Sequence, residues 1–95
     1  MLSTGAGWIR DTTYVGGELR YNELDGKRIA YHKRTQFLVQ VGRGPKGAYR
    51  TKYTITGDLA QAVLYYNGIN LGHGYKKRLL FPNAHHNPIL ARSTS

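Results

Sequence analysis

Between residues 36 and 56 the chain alternates. Phe37, Val39, Val41, Tyr53 and Ile55 fall on one side, and Gln36, Gln40, Arg50 and Lys52 on the other, the period-two pattern of half-buried strands. The glycine-rich stretch "GRGPKG" at 42–47 has turn chemistry, so this region reads as strand, turn, strand. Upstream, 27–34 puts Ile29 and Tyr31 inward and Arg28, His32 and Arg34 outward. Asp25-Gly26 just before it is a strong two-residue hairpin signal, joining it to a short strand within 17–24. Downstream the period changes. Leu59, Ala62, Val63, Tyr66 and Ile69 recur at helical spacing across 58–71. Asp58 is placed to cap that helix, and Gly72-His73-Gly74 to end it.

This pattern predicts an α+β fold: a three-stranded antiparallel sheet packed against one C-terminal α-helix, with an N-terminal arm and a possible extra strand. Residues 1–26 would form the arm and edge strand, 27–82 the sheet-plus-helix domain and 83–95 a tail. Phe37 and Val63 should meet between helix and sheet, leaving the cationic side of the sheet bare.

Charge gives that bare face a purpose. The chain has 95 residues, one small domain's worth, with fourteen Lys and Arg against five Asp and Glu, a net charge of +9. Four of the five acids precede residue 27, whereas residues 27–57 hold eight basic residues and no acid. Lys76, Lys77, Arg78 and Arg92 follow the last acid, Asp58. A merely solubilising surface mixes both signs. This one points to an anionic partner, nucleic acid ahead of a membrane surface or an acidic protein. There is no cysteine, which excludes disulfides and thiolate metal sites. The N-terminus lacks a cationic start and a long apolar run, and no stretch approaches a membrane span, so a cytoplasmic protein is expected.

Catalytic chemistry finds little here. The basic region offers no paired carboxylates, serines occur only at the termini, and "GRGPKG" lacks the Lys-Ser/Thr ending of a phosphate loop. The expectation is a non-enzyme without cofactor. His85 and His86 are adjacent, so their side chains point apart, and with no acid nearby they read as tail rather than metal ligands. His73 reads as a helix-end residue. Trp8 either docks the arm onto the core or stacks on a base, docking being favoured. Most of the eight tyrosines fall at positions expected to be structural.

Residues 27 to about 82 resemble the Apetala-type (ethylene-response-factor) DNA-binding domain of plants, phages and homing endonucleases. The matching stretches are "IAYHKRTQFLVQV", "GRGPKGAYRTKYTI", "DLAQAVLYY" and the closing "HGYKKRLLFP". The resemblance implies a three-stranded sheet lying in the DNA major groove with the helix behind it. By position, Arg28, His32, Arg34, Gln36, Gln40, Arg50 and Lys52 would contact DNA from the strands, with Arg43 and Lys46 at the turn. Arginine can fork onto guanine and glutamine onto adenine, while lysine more often meets phosphate. Lys76, Lys77 and Arg78 would form a secondary cluster behind the sheet or at its rim. Gly42 stands where the family often has a base-reading arginine, strand three has no tryptophan, and Leu38 would face the DNA.

The leading expectation is a small DNA-binding protein of a phage or mobile element, its partner double-stranded DNA. An alternative is an inhibitor, such as an anti-CRISPR or host-takeover protein, that turns the same basic face on a host nucleoprotein. A third is RNA binding.

Overall fold

The computed structural model describes residues 8–10, 12–44, 46–81 and 88–94. The described chain runs β1 (Thr13–Tyr14), β2 (Leu19–Leu24), β3 (Lys27–His32), β4 (Gln36–Arg43), β5 (Arg50–Thr56), α1 (Leu59–Gly68), β6 (Tyr75–Leu80) and β7 (Leu90–Ser93). His85, His86 and residues 1–7 of the expected arm lie outside the described residues.

The strands form two antiparallel sheets, β1-β2-β3 and β5-β4-β6-β7. This overturns the expected single three-stranded sheet with one helix. Strand β3 was expected beside β4, but it pairs along its whole length with β2, from Leu24 opposite Lys27 to Leu19 opposite His32. The reason is local. Asp25 and Gly26 both have positive φ, 53° and 81°, the geometry of the type I′ turn that best joins twisted antiparallel strands. Strand β4 instead takes β5 on one side and β6 on the other. The hairpin β2–β3 therefore crosses residue 26, and β7, inside the segment expected to be a tail, pairs with β6.

Helix α1 links β5 to β6 by passing over β4, and it packs on all three strands. It buries Leu59, Ala62, Val63 and Tyr66, four of the five residues of the expected stripe. Asp58 caps it as expected, its Oδ1 accepting from the Gln61 amide at 3.0 Å. It stops at Gly68, one turn before the expected stop at 72–74. Phe37 and Val39 from β4 and Leu79 from β6 meet the helix stripe in one core cluster.

The small sheet reaches that core through Leu24 and, beside Phe37, through Tyr31. Its ring stands edge-on to Phe37 with centroids 5.1 Å apart. Its hydroxyl donates to Asn22 Oδ1 and accepts from the Leu59 amide at 3.4 Å. Alongside, Arg20 donates to the Gly57 carbonyl, and the Gly57 amide donates to Thr35 O at 2.7 Å. Residues 8–10 lie along the free side of β2's C-terminal end. Trp8 exchanges contacts with Asp25, and the Arg10 amide donates to Glu23 O at 3.0 Å. The main chain at Trp8 is thus tied to the β2–β3 turn, while its ring faces Arg10 and it is Ile9 that packs on the core.

Gly57 has φ 67°, and a Cβ there would sit 2.0 Å from the Lys33 carbonyl oxygen. Gly57→Ala is therefore expected to destabilise the fold by at least about 2 kcal/mol, because backbone strain adds to a clash with main chain. Gly68 has open space at the Cβ position, so Gly68→Ala should be neutral or stabilising by up to about 1 kcal/mol. Tyr31→Phe should cost about 1–3 kcal/mol by leaving a buried Asn22 acceptor unpaired. Urea denaturation of the three variants checks all of these.

Candidate nucleic-acid interface

Because α1 covers one face of the four-stranded sheet, the candidate surface is the other. Register assigns the residues. Leu38, Gln40 and Gly42 of β4 stand opposite Leu80, Arg78 and Lys76 of β6, and these six share the face away from the helix, which is open around Gln40, Arg78 and Lys76 and covered at Leu80. Val39 and Val41 stand opposite Leu79 and Lys77 on the helix side. The expected secondary cluster is therefore split by strand alternation. Lys76 and Arg78 occupy the middle of the open face, and Lys77 is buried behind it.

A built arrangement holds the two open-face cations. The Arg78 Nε donates to Gln40 Oε1 at 2.7 Å, and Gln40 Nε2 donates to Thr51 Oγ1 at 3.0 Å. The Arg78 guanidinium carbon lies 3.8 Å from the ring centroid of Tyr49, and Lys76 Nζ 4.6 Å from it. Gly42 makes the room: a Cβ there would come 2.9 Å from Lys76 Cε and 3.2 Å from Ala48 O. The absence of a side chain at Gly42 is what lets Lys76 lie across the sheet. With Nε committed to Gln40, the terminal nitrogens of Arg78 remain to donate in a fixed plane.

The residues expected to make up the site are scattered. Gln36 and Gln40 lie on the open face of the large sheet. Arg28 and His32 belong to the small sheet. Arg28 stacks 3.9 Å from the Tyr21 ring, and His32 bridges Glu18, at 3.2 Å, and the Arg34 amide, at 3.0 Å. Arg34 itself is exposed in the turn after β3, and Lys46 in the turn after β4. Arg50 stands opposite Val41, on the helix side. A bulge between Val39 and Gln40 leaves Lys52 without an opposite number and turns it toward the helix, where it lines a groove with Tyr53 and Ile69. Arg43, at the end of β4, has its guanidinium 5.4 Å from the Tyr75 ring. Arg34, Arg50 and Lys52 were all expected on the face away from the helix, and none lies there: Arg50 and Lys52 are on the helix side and Arg34 is in a turn. Tyr49 was missed altogether, since residues before a strand carry no periodic signal. Lys76 and Arg78 could have been separated from Lys77 by reading "YKKRLL", bounded by glycine and proline, as a strand.

The acids are elsewhere. Glu23 pairs with Arg10 at 3.3 Å, and Glu18 with His32 and with Lys33 at 3.3 Å. Those hydrogen bonds, His32 first and then Lys33, hold the Glu18 carboxyl below its usual range. No residue of β4 through β7 or of the turn at 44–49 is acidic. No family model, curated protein or solved structure matches the chain. Among the described residues, no helix is long and apolar enough to cross a membrane, and no His, Asp and Glu side chains gather as a metal site.

Lys77 has a structural role. Its ammonium donates to the carbonyls of Tyr66, at 2.8 Å, and Ile69, at 3.0 Å, closing the C-terminal end of α1 from inside the core. Burial and the nearby Arg92 lower its pKa, and burial pushes the Tyr66 phenol up to about 12. The folded chain thus keeps the Tyr66 proton where the unfolded chain, with an ordinary value of 10, has lost it. That stabilisation is complete below the ordinary value and is lost as the pH rises through the folded one. Urea midpoints should fall across this alkaline range in the natural protein, and Tyr66→Phe should flatten the decline.

Proposed function

We propose that this protein binds nucleic acid through the open face of its four-stranded sheet. The observation that carries the reading is the cluster of Lys76, Arg78, Gln40 and Tyr49 at the centre of a face whose strands hold no acid. Free donors outnumber free acceptors there: the Arg78 terminal nitrogens, the Lys76 ammonium and the second Gln40 amide hydrogen. Such a set fits phosphate oxygens, and a planar guanidinium held in place spends little entropy on binding them. The small sheet neutralises much of its own charge and would stand away from the polyanion.

Exposed Leu64 and Tyr65 on α1, the latter stacked 4.7 Å from Tyr53, favour a second reading in which this opposite side meets a protein. In that reading the protein is an inhibitor of a host nucleoprotein, and Leu64→Ser should abolish capture of that complex while leaving oligonucleotide binding intact.

Fluorescence anisotropy with a labelled oligonucleotide tests the first reading. Affinity should fall steeply with salt, because each neutralised phosphate releases counterions. The pair Lys76→Ala and Arg78→Ala should weaken binding at least about tenfold and reduce the log–log salt slope by about 1.4–1.8, two contacts' worth. Arg28→Ala with Arg34→Ala should change affinity by no more than about twofold. Absence of binding at low salt to both single strands and duplexes would sink the proposal.

A further inference from the structure

We infer that the ligand of this face is a single strand, one of whose bases enters a groove at the end of the sheet beside Tyr49. The inference rests on the nucleic-acid reading above and adds the form of the ligand and the place of a base.

Width argues against a duplex groove. Neighbouring strands lie about 4.8 Å apart, so four strands span about 14 Å between the outer backbones before any side chain is counted. The major groove is about 12 Å wide and admits two strands comfortably. The whole face cannot enter it, whereas a single strand can lie along it.

At one end of the sheet the surface is concave. A groove of about 620 Å³ opens between the turn after β4 and the paired ends of β6 and β7, lined by Tyr49, Tyr75, Lys76 and Arg92 with the backbones of Gly44 and Gly74. Its volume lies within the usual range for small-molecule sites. Main-chain hydrogen bonds lace its walls together: Gly44 N–H to Gly74 O at 2.7 Å, Gly74 N–H to Thr94 O at 3.1 Å, and Thr94 N–H to Tyr75 O at 2.8 Å. Gly44 and Gly74 have φ of 71° and 82°, and a Cβ on either would meet nothing within 4 Å. Glycine is needed there for the turn, and the bare wall it leaves suits the flat approach of a ring.

The chemistry of the groove differs from that of the cluster beside it. The Tyr49 ring and main chain, that of Tyr75 included, form the walls, and the cations stand at the edge, Lys76 shared between groove and cluster. A planar group in the groove would place its attached anion on Lys76 and Arg78. A nucleotide has that layout, base next to phosphate, and stacking on tyrosine accepts any base. An acidic peptide would satisfy the cations and leave the Tyr49 ring unused.

The test compares ~10-nucleotide oligothymidylate, oligouridylate, an abasic strand of equal length and a duplex by anisotropy at fixed salt. At least one homopolymer should bind about tenfold or more tighter than the abasic strand and the duplex; whether thymidylate or uridylate leads distinguishes DNA from RNA. Tyr49→Ala should remove most of that advantage and Tyr49→Phe should keep it, since the stack needs the ring and not the hydroxyl. Should Tyr49→Ala fail to fold, the abasic comparison on the natural protein decides by itself. Equal binding of abasic and base-bearing strands, tighter binding of the duplex, or equal competition by polyglutamate overturns the inference. In the first two cases nucleic-acid binding still stands, while silence of every oligonucleotide at low salt removes both.

Discussion

A phenol stands at the junction of the two sheets. Tyr31 leaves the small sheet to press edge-on against Phe37, and its hydroxyl is shared between Asn22 and the first amide of α1. The start of the helix is fixed against β3 by this contact, and the turn before it against the β3–β4 turn by Gly57. Once the helix is set, its stripe defines which side of β4 is buried. The opposite side, with Gln40 and Gly42, is then turned outward. The candidate interface thus depends on a residue that does not belong to it.

Much of this was legible. The Asp25-Gly26 hairpin, the alternation of β4, the helix stripe and its Asp58 cap all follow from local rules, and the structure reproduces them, whereas a bulge breaks the expected alternation of β5 before Tyr53. What failed was pairing between elements. Residues 33–35 looked able to fold β3 back on β4, yet Tyr31 and Phe37 point into the same core from different sheets, so the chain has to leave one sheet to enter the other. Strand β6 escaped notice because three consecutive cations read as a charge cluster, although a strand sends neighbours to opposite faces. Lys77 is then the surprise. A lysine is acceptable inside this core because the helix end supplies two carbonyls to its ammonium. The site was legible in part: of the expected strand contacts Gln40 lies at its centre, joined there by Lys76 and Arg78 from the cluster expected behind the sheet or at its rim.

With few acids available, the cations find rings. Eight cation–ring contacts occur among the described residues, where a chain of this length would ordinarily have one or two. Tyr49 holds two cations at once, and Tyr66 faces the buried one. A ring steadies a cation without neutralising it. The four-stranded sheet can therefore be ordered and remain fully charged, which an equal number of salt bridges would have prevented.

The gathering of acids at the small sheet also makes the molecule an electric dipole. Glu18 and Glu23 lie there among cations, while the strands β4, β5, β6 and β7 carry basic residues and no acid. Near a polyanion such a body feels a torque as well as a pull, so it rotates as it approaches and arrives with the large sheet leading. Fewer encounters are wasted on the wrong side, and the gain in association rate fades once salt shortens the field to about 8–10 Å.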